Sequence, residues 1–273
     1  MMRVTVVLPS HDDAVMLRAC LAALHAQSRR ADEIIVVDNA CTDDTAEVAR
    51  AAGARVVAEP LHGVTPATAR GFDAARGDLL LRLDADSVPP PDWIARVVAA
   101  FTDSALGALS GPGRFYGGNA LTRWIGAHLY IGGYATVVPV LLGHPVLFGS
   151  NLALRRTVWE QIRHRVHRQE PHVHDDLDIS INLPPGTGIR FDRSLRVGVS
   201  ARPFDSARGL WRRVVRAGET VAINHREQRM LARRREWRAI ARIDRLSRNG
   251  RPGRRSHARA RRARPHWDCA LPP

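Results

Sequence analysis

The chain contains no lysine: all 41 of its basic side chains are arginine. Uniform use of one basic residue fits a codon bias toward GC-rich DNA, so the choice of arginine carries no chemistry, whereas its placement does. Cysteine is also scarce. Cys20, Cys41 and Cys269 are odd in number, scattered and without C-x-x-C spacing, which indicates neither a disulfide framework nor a cysteine zinc site and fits a reducing cytosol best. Aromatic residues make up only 5% of the chain. The apolar stretch Leu129 to Leu142 is interrupted by Gly132, Gly133 and Pro139. It falls short of the ~20 residues a membrane span needs and reads as a core or interfacial segment. No leader pattern precedes the first strand-like run, Val4 to Leu8, so the chain is expected to start with its fold.

What is present is a globular composition, 45% hydrophobic over 273 residues, enough for one large domain with an appendage. The net charge of +14 is unevenly spread: arginines crowd Arg208 to Arg264, while the first hundred residues are nearly balanced.

Those first hundred residues alternate strand and helix signals, the pattern of a mostly parallel sheet covered by helices. Val4 to Leu8, Ile34 to Val37, Arg55 to Val57 and Asp78 to Leu83 read as strands. Ala14 to Ala26, Asp43 or Asp44 to about Ala52, Thr65 to Ala75 and Trp93 to Phe101 read as helices between and after them. Farther on, Leu147 to Leu154 and Thr157 to Ile162 form another pair of elements, and Arg190-Phe191 and Leu195 to Val199 read as late strands. In open α/β sheets ligands bind beyond the carboxyl ends of the strands. Polar groups gather there: Pro9 to Asp13, Asp38 to Asp44, and the triplet Asp84-Ala85-Asp86. Two carboxylates one residue apart at a strand end can share a divalent cation with a substrate diphosphate, although an acidic pair after a strand is more often only a solvated turn.

Four segments in order resemble the family 2 glycosyltransferases of the GT-A fold. Val4 to Asp13 resembles the family's first strand and its P-x-Y-N-E turn, with His11 in place of the aromatic and Asp12-Asp13 in place of Asn-Glu. Asp32 to Thr45 is similar to E-I-I-V-V-D-N-x-S-T-D-x-T, with Cys41 where serine is common. Gly63 to Arg70 resembles G-x-x-x-A-x-x-x-R-N, and Gly77 to Ser87 resembles G-D-x-L-x-x-L-D-A-D-S.

The resemblance implies an inverting transfer from a nucleotide-diphosphate sugar to a hydroxyl acceptor, with Mg²⁺ or Mn²⁺ as cofactor. Pro9, His11, Asp13 and Asp38 would surround the nucleotide, Arg70 would face its diphosphate, Asp84 would lie near ribose and metal, and Asp86 would ligate the metal directly. Asp175-Asp176-Leu177-Asp178-Ile179-Ser180 resembles E-D-x-D-L-S, which makes Asp176 the expected general base and Asp175 the second choice; read from residues alone, it is an acidic helix N-terminus. Gly149, Ser150 and Asn151 would line donor sugar and acceptor. Arg213 and Arg216 occupy the place of Q-x-x-R-W in processive synthases; the Gln and Trp are missing, which argues against processive synthesis. A histidine-rich loop with His164, His167, His172 and His174 matches no firm zinc signature and reads as polar or acceptor-facing.

The expected organisation is a GT-A domain over residues 1–205, with a nucleotide half of about 1–105 and an acceptor half of about 106–205. A basic helical extension over 206–248 and a disordered Arg-rich tail over 249–273 follow. The basic end suits an anionic membrane surface close to a lipid-linked or cell-envelope acceptor, with the protein peripheral on the inner face of the membrane. Nucleic acid is the poorer partner, because stacking aromatics are limited to Trp211, Trp237 and Trp267. A sugar-nucleotide pyrophosphorylase would need a glycine-rich turn after the first strand, and Pro9 to Asp13 has no glycine.

Overall fold

The computed structural model describes residues 2–249 except 120–122, 125, 127–131, 171, 203–206 and 229. The tail expected to be disordered lies, from residue 250 onward, outside the described residues, as does Cys269.

Four parallel strands form the first half of the sheet: β1 (Val4–Ser10), β2 (Glu33–Asp38), β3 (Arg55–Ala58) and β4 (Leu79–Arg82). Their β-branched and leucine-rich runs suit strands covered on both faces, and Val4, Val6, Val7 and Leu8 are fully buried. Helices α1 (Ala14–His25), α2 (Thr45–Ala51), α3 (Val64–Ala74) and α4 (Trp93–Ala100) connect and cover them. In α1 the buried stripe is Leu17, Cys20, Leu21 and Leu24 at helical spacing; Val15, which shares the apolar pattern in sequence, is 81% exposed.

Strand parity separates two packing layers. Val4, Val6 and Leu8 pack with residues of α1 and α4; Val7 points the other way with Phe72 of α3 and with Trp159. Gly71 lets α3 lie directly on the sheet, since a Cβ there would stand 2.3 Å from Val7 Cγ1.

The second half is more mixed than the sequence suggests. Strands β5 (Leu106–Ser110) and β6 (Gly113–Tyr116) fill a stretch without clear periodicity in sequence. There follow α5 (Gly132–Leu142), β7 (Leu152–Arg155), α6 (Arg156–Ile162), α7 (Asp175–Asn182), β8 (Gly188–Phe191) and β9 (Val197–Ser200). The seven-stranded sheet runs β3-β2-β1-β4-β7-β5-β8, with β7 antiparallel to both neighbours, and β6 pairs with β9 in a small second sheet. Only the end of the apolar run expected at Leu147 to Leu154 is strand; the residues before β7 form a loop closed by a Phe148–Asn151 bridge.

Two long helices end the described chain, α8 (Ala207–Gln228) and α9 (Met230–Asn249). Ala217 and Val221 of α8 pack against a cluster formed by Leu142 of α5 and by Leu177 and Ile181 of α7. Trp237 of α9 is buried and its ring centroid lies 4.4 Å from that of His144. No helix among the described residues is long and apolar enough to cross a membrane.

Candidate active site

The parallel strands β1, β2 and β4 end at one edge of the sheet, and antiparallel β7 begins there. The register Arg82↔Leu152 therefore sets Gly149 to Asn151 beside Leu83 to Asp86. Between these turns, the N-terminus of α7 and the cleft-facing side of α8 lies a cleft of ≈ 700 Å³. One wall carries Pro9, Ser10, His11, Asn39 and His62; the floor carries Arg82, Asp84 and Asp86; the other wall carries Gly149, Ser150, His174, Asp175 and Asp176. Asp13, Arg202, Arg213 and Arg216 complete it.

Arg82 organises the floor. Only 3% of its side chain is exposed, and it reaches Asp84 Oδ1 at 2.7 Å and Asp175 Oδ2 at 3.2 Å. Burial works against its charge, but Asp175, Asp84 and Asp176 more than offset that and hold it cationic. Asp84 also accepts the hydroxyl of Ser150, so both of its oxygens are engaged. Gly149 is required here: a Cβ would stand 2.5 Å from Arg82 Nη1 and 3.3 Å from Asp176 Oδ2.

Asp86 is placed differently. Its Oδ1 is buried with no hydrogen-bond partner, and its Oδ2 lies 3.5 Å from Arg202 Nη2. Burial, reinforced by the charge of Asp84 and opposed by Arg202, pushes its pKa up to about 7. An orphaned buried carboxylate oxygen opening on a cleft is the kind of group a hard divalent cation satisfies. Arg202 also reaches Asp13 Oδ1 at 3.0 Å, so one guanidinium bridges the turns after β1 and β4.

The two carboxylates at the start of α7 are not equivalent. Asp175 is buried, accepts the Thr68 hydroxyl at 2.6 Å and is paired with Arg82. Asp176 accepts the backbone N–H groups of Gly149 at 2.9 Å and Leu177 at 2.7 Å. Burial and the neighbouring charge of Asp175 raise its pKa, against the opposing pull of His174, the Gly149 N–H and Arg82.

Residues 5–163, more than half the chain, match the family model of glycosyl transferase family 2. The chain belongs to glycosyl transferase family 2. A curated relative, the undecaprenyl-phosphate 4-deoxy-4-formamido-L-arabinose transferase of Pseudomonas paraeruginosa, is 39% identical over 105 residues, covering 35% of this chain and 31% of that protein. The chain thus matches about a third of that relative's length. Among solved structures, a mannosyltransferase from Pyrobaculum calidifontis in complex with GDP-Man and Mn²⁺ superposes with a TM-score of 0.59 at 21% identity, over 91% of this chain and 76% of that one. Mannosyl-3-phosphoglycerate synthase from Rubrobacter xylanophilus gives 0.57 at 23% identity, over 84% and 76%. The fold is GT-A.

Within this family 2 domain most of the residues singled out from sequence converge: Pro9, His11, Asp13, Asp84, Asp86, Gly149, Ser150, Asp175, Asp176, Arg213 and Arg216 all line the cleft. Three do not. Arg70 was expected at the diphosphate, but it shares a face of α3 with Pro66 and Asp73 and lines a separate hollow, its Nε donating to the Ala58 carbonyl at 3.4 Å. The cleft is met nearer the N-terminal end of α3, at Gly63, Val64 and Ala67, and Arg70 lies about a turn farther along the helix. Asp38 accepts the Cys41 N–H at 2.9 Å and shapes the turn behind the cleft. Asn151 is 1% exposed and ties Trp93 to the Leu195 carbonyl, a buried brace rather than a ligand group.

Two important members were not anticipated. Arg82 had a signal, a charge inside an otherwise apolar strand; Arg202 had none, since only the path of β9 brings it to Asp86. The histidine-rich loop divides by role: His167 is held between Asp178 and Glu227, whereas His174 Nε2 contacts the Arg213 carbonyl at 3.0 Å.

Proposed function

We propose that this domain transfers a sugar from a nucleotide-diphosphate donor to a hydroxyl-bearing acceptor, with inversion and with Mg²⁺ or Mn²⁺ at Asp86. The observation that carries the reading is the pairing of two unlike carboxylates across one cleft: Asp86 with its buried, unpartnered oxygen, and Asp176 with its raised proton affinity. The bound cation would neutralise negative charge developing on the departing diphosphate. The Mn²⁺ and GDP-Man held by the Pyrobaculum neighbour support that choice of ligands.

The wall formed by Pro9, His11, Asn39 and His62 offers ring faces and polar edges to a nucleotide, with Asp38 shaping the turn behind it. Asp84, fixed by Arg82 and Ser150, would serve the ribose and the metal beside Asp86. Arg202 takes the diphosphate-facing role that the sequence had given to Arg70. Asp176 accepts the acceptor's proton from the face opposite the leaving group, which is what inversion demands. Asp175, bound to Arg82, serves to place it.

Arg213 and Arg216, on the cleft side of α8, suit an acceptor that carries phosphate, and the polyprenyl-phosphate transferase among the relatives points to a lipid-linked one. A peripheral membrane position fits the exposed apolar side chains of α5 and α8, Val137, Val140, Trp211, Val214 and Val215. Nucleic acid is disfavoured further by the burial of Trp237.

The test is a thermal-shift and donor-hydrolysis screen of UDP-, GDP- and dTDP-sugars with Mn²⁺ or Mg²⁺. One nucleotide class should stabilise the protein only with metal, and Asp86→Ala should abolish that stabilisation. A wild-type protein indifferent to every donor would overturn the reading.

A further inference from the structure

Three residues that depart from the family's usual pattern meet at one place. His11 replaces an aromatic, Asp12 an asparagine and Cys41 a serine, and one ligand atom from each lies within 4.8 Å of the others. We propose that His11 Nε2, a carboxylate oxygen of Asp12 and Cys41 Sγ form a site for a borderline-soft divalent metal of the zinc type, separate from the hard-cation site at Asp86.

The backbone presents these atoms together. Parallel pairing of β1 with β2 sets Ser10 opposite Asp38, so the turns that follow the two strands lie side by side. Asp12 sits in the left-handed region at φ 50, which turns its side chain across to the neighbouring turn. There Oδ1 accepts the N–H groups of Thr42 at 2.6 Å and Asp43 at 3.2 Å, and the Thr42 hydroxyl lies 3.3 Å from Oδ1 and 3.2 Å from Oδ2. These bonds hold the carboxylate ionised and leave Oδ2 3.9 Å from His11 Nε2.

His11 is oriented as ligating imidazoles are. Its Nδ1 lies 2.8 Å from the Asn39 carbonyl, a partner that only a protonated Nδ1 can satisfy, so the lone pair is left on Nε2. Cys41 Sγ is 3.4 Å from the Ser10 carbonyl, and burial pushes its thiol up to about 11. Metal binding therefore releases the thiol proton and weakens as pH falls.

Ligands 2.0 to 2.3 Å from a tetrahedral ion lie about 3.4 to 3.8 Å apart. The 4.8 Å limit is closed by a shift of about 1 Å, within reach of half-exposed side chains on turns. A nitrogen, an oxygen and a sulfur together favour Zn²⁺ or Co²⁺, whereas Mg²⁺ and Mn²⁺ prefer the all-oxygen surroundings of Asp86. The His62 ring stands beside this cluster, its centroid 4.2 Å from that of His11.

Cobalt is the probe that reads this site alone, because a thiolate on Co²⁺ gives a near-ultraviolet charge-transfer band. Titration of the full chain with Co²⁺, without nucleotide, should develop that band at about one equivalent, and Zn²⁺ should discharge it. Cys41→Ser and His11→Phe should each abolish it while melting like wild type; Cys269→Ser and Asp86→Ala should keep it. Absence of the band in wild type, or its survival in Cys41→Ser, would overturn the assignment. Since only metal is titrated, either result leaves the glycosyltransferase reading to stand or fall by itself.

Discussion

Arg202 holds its guanidinium 3.5 Å from the Asp86 carboxylate, where it balances part of the charge that a divalent cation would otherwise meet. About half of the Arg202 side chain is exposed, so the pairing is worth no more than about 0.5–1 kcal/mol. Arg202→Gln should therefore bind Mn²⁺, in the absence of nucleotide, about two- to fivefold more tightly by titration calorimetry. Weaker binding in the variant would show that Arg202 helps to build the cation site instead of competing for it.

The burial of Arg82 leads to a larger effect. Among the described residues it is the one guanidinium that contacts both Asp84 and Asp175, and it is nearly sealed from water. Arg82→Met strands two carboxylates around an apolar side chain and should cost about 3–5 kcal/mol in urea unfolding. Arg82→Lys keeps the charge but lacks the fork that reaches two partners, so it should fall between wild type and Arg82→Met. A neutral Arg82→Met would mean that the floor of the cleft is held by other contacts.

Much of this floor was legible in the sequence, and the reason is geometric. Strand-end turns such as Asp84 to Asp86 and Pro9 to Asp13 are short and local, so a parallel sheet fixes their meeting edge as soon as the strands are recognised. Arg70 lies off the cleft because it shares a face of α3 with Pro66 and Asp73, four and three residues away, and that face lines a separate hollow; sequence alone does not say which part of the helix meets the ligand. Arg202 failed for a different reason: its position depends on β9 pairing with β6, a contact between segments about eighty residues apart. Strands β5 and β6 were missed because Leu106 to Tyr116 mixes glycine, serine and proline with its apolar residues, and their pairing is long-range.

His167 fastens α8 to α7. Its Nδ1 lies 2.7 Å from Asp178 Oδ1 and its Nε2 3.0 Å from Glu227, and Asn224 of α8 donates to Asp178 Oδ1 at 2.8 Å. Hydrogen bonding to Asp178, outweighing the cost of burial, raises its pKa from 6.5 to about 9. A raised folded-state pKa on a base stabilises the fold fully below the unfolded value and ceases to do so as pH rises through the folded one. The latch should thus lose about 1–3 kcal/mol between pH 6.5 and 9. Unfolding free energies compared at pH 6, 7.5 and 9.5 should diverge from those of His167→Gln at the acid end and converge at the alkaline end; parallel curves would exclude a titrating latch.

Asp176 and Asp175 can be separated because Asp175 pairs directly with the buried Arg82, whereas Asp176 feels that charge only through space. Asp175 shares an oxygen with Thr68 and Arg82, and its loss would disturb the floor as much as the chemistry. Asp176 is held by two backbone N–H groups, which an amide oxygen can still accept in part. Asp176→Asn should therefore lose no more than about 1–3 kcal/mol of stability through the one N–H left unpaired and keep metal-dependent nucleotide binding, while transfer falls by about 10²–10⁴. Asp175→Asn should lower stability as well, and its nucleotide affinity should move with it through Arg82 and Asp84. Equal transfer by Asp176→Asn and wild type would remove Asp176 as the base, and a phosphate oxygen on the acceptor, which needs no deprotonation to attack, would then be the better nucleophile for this cleft.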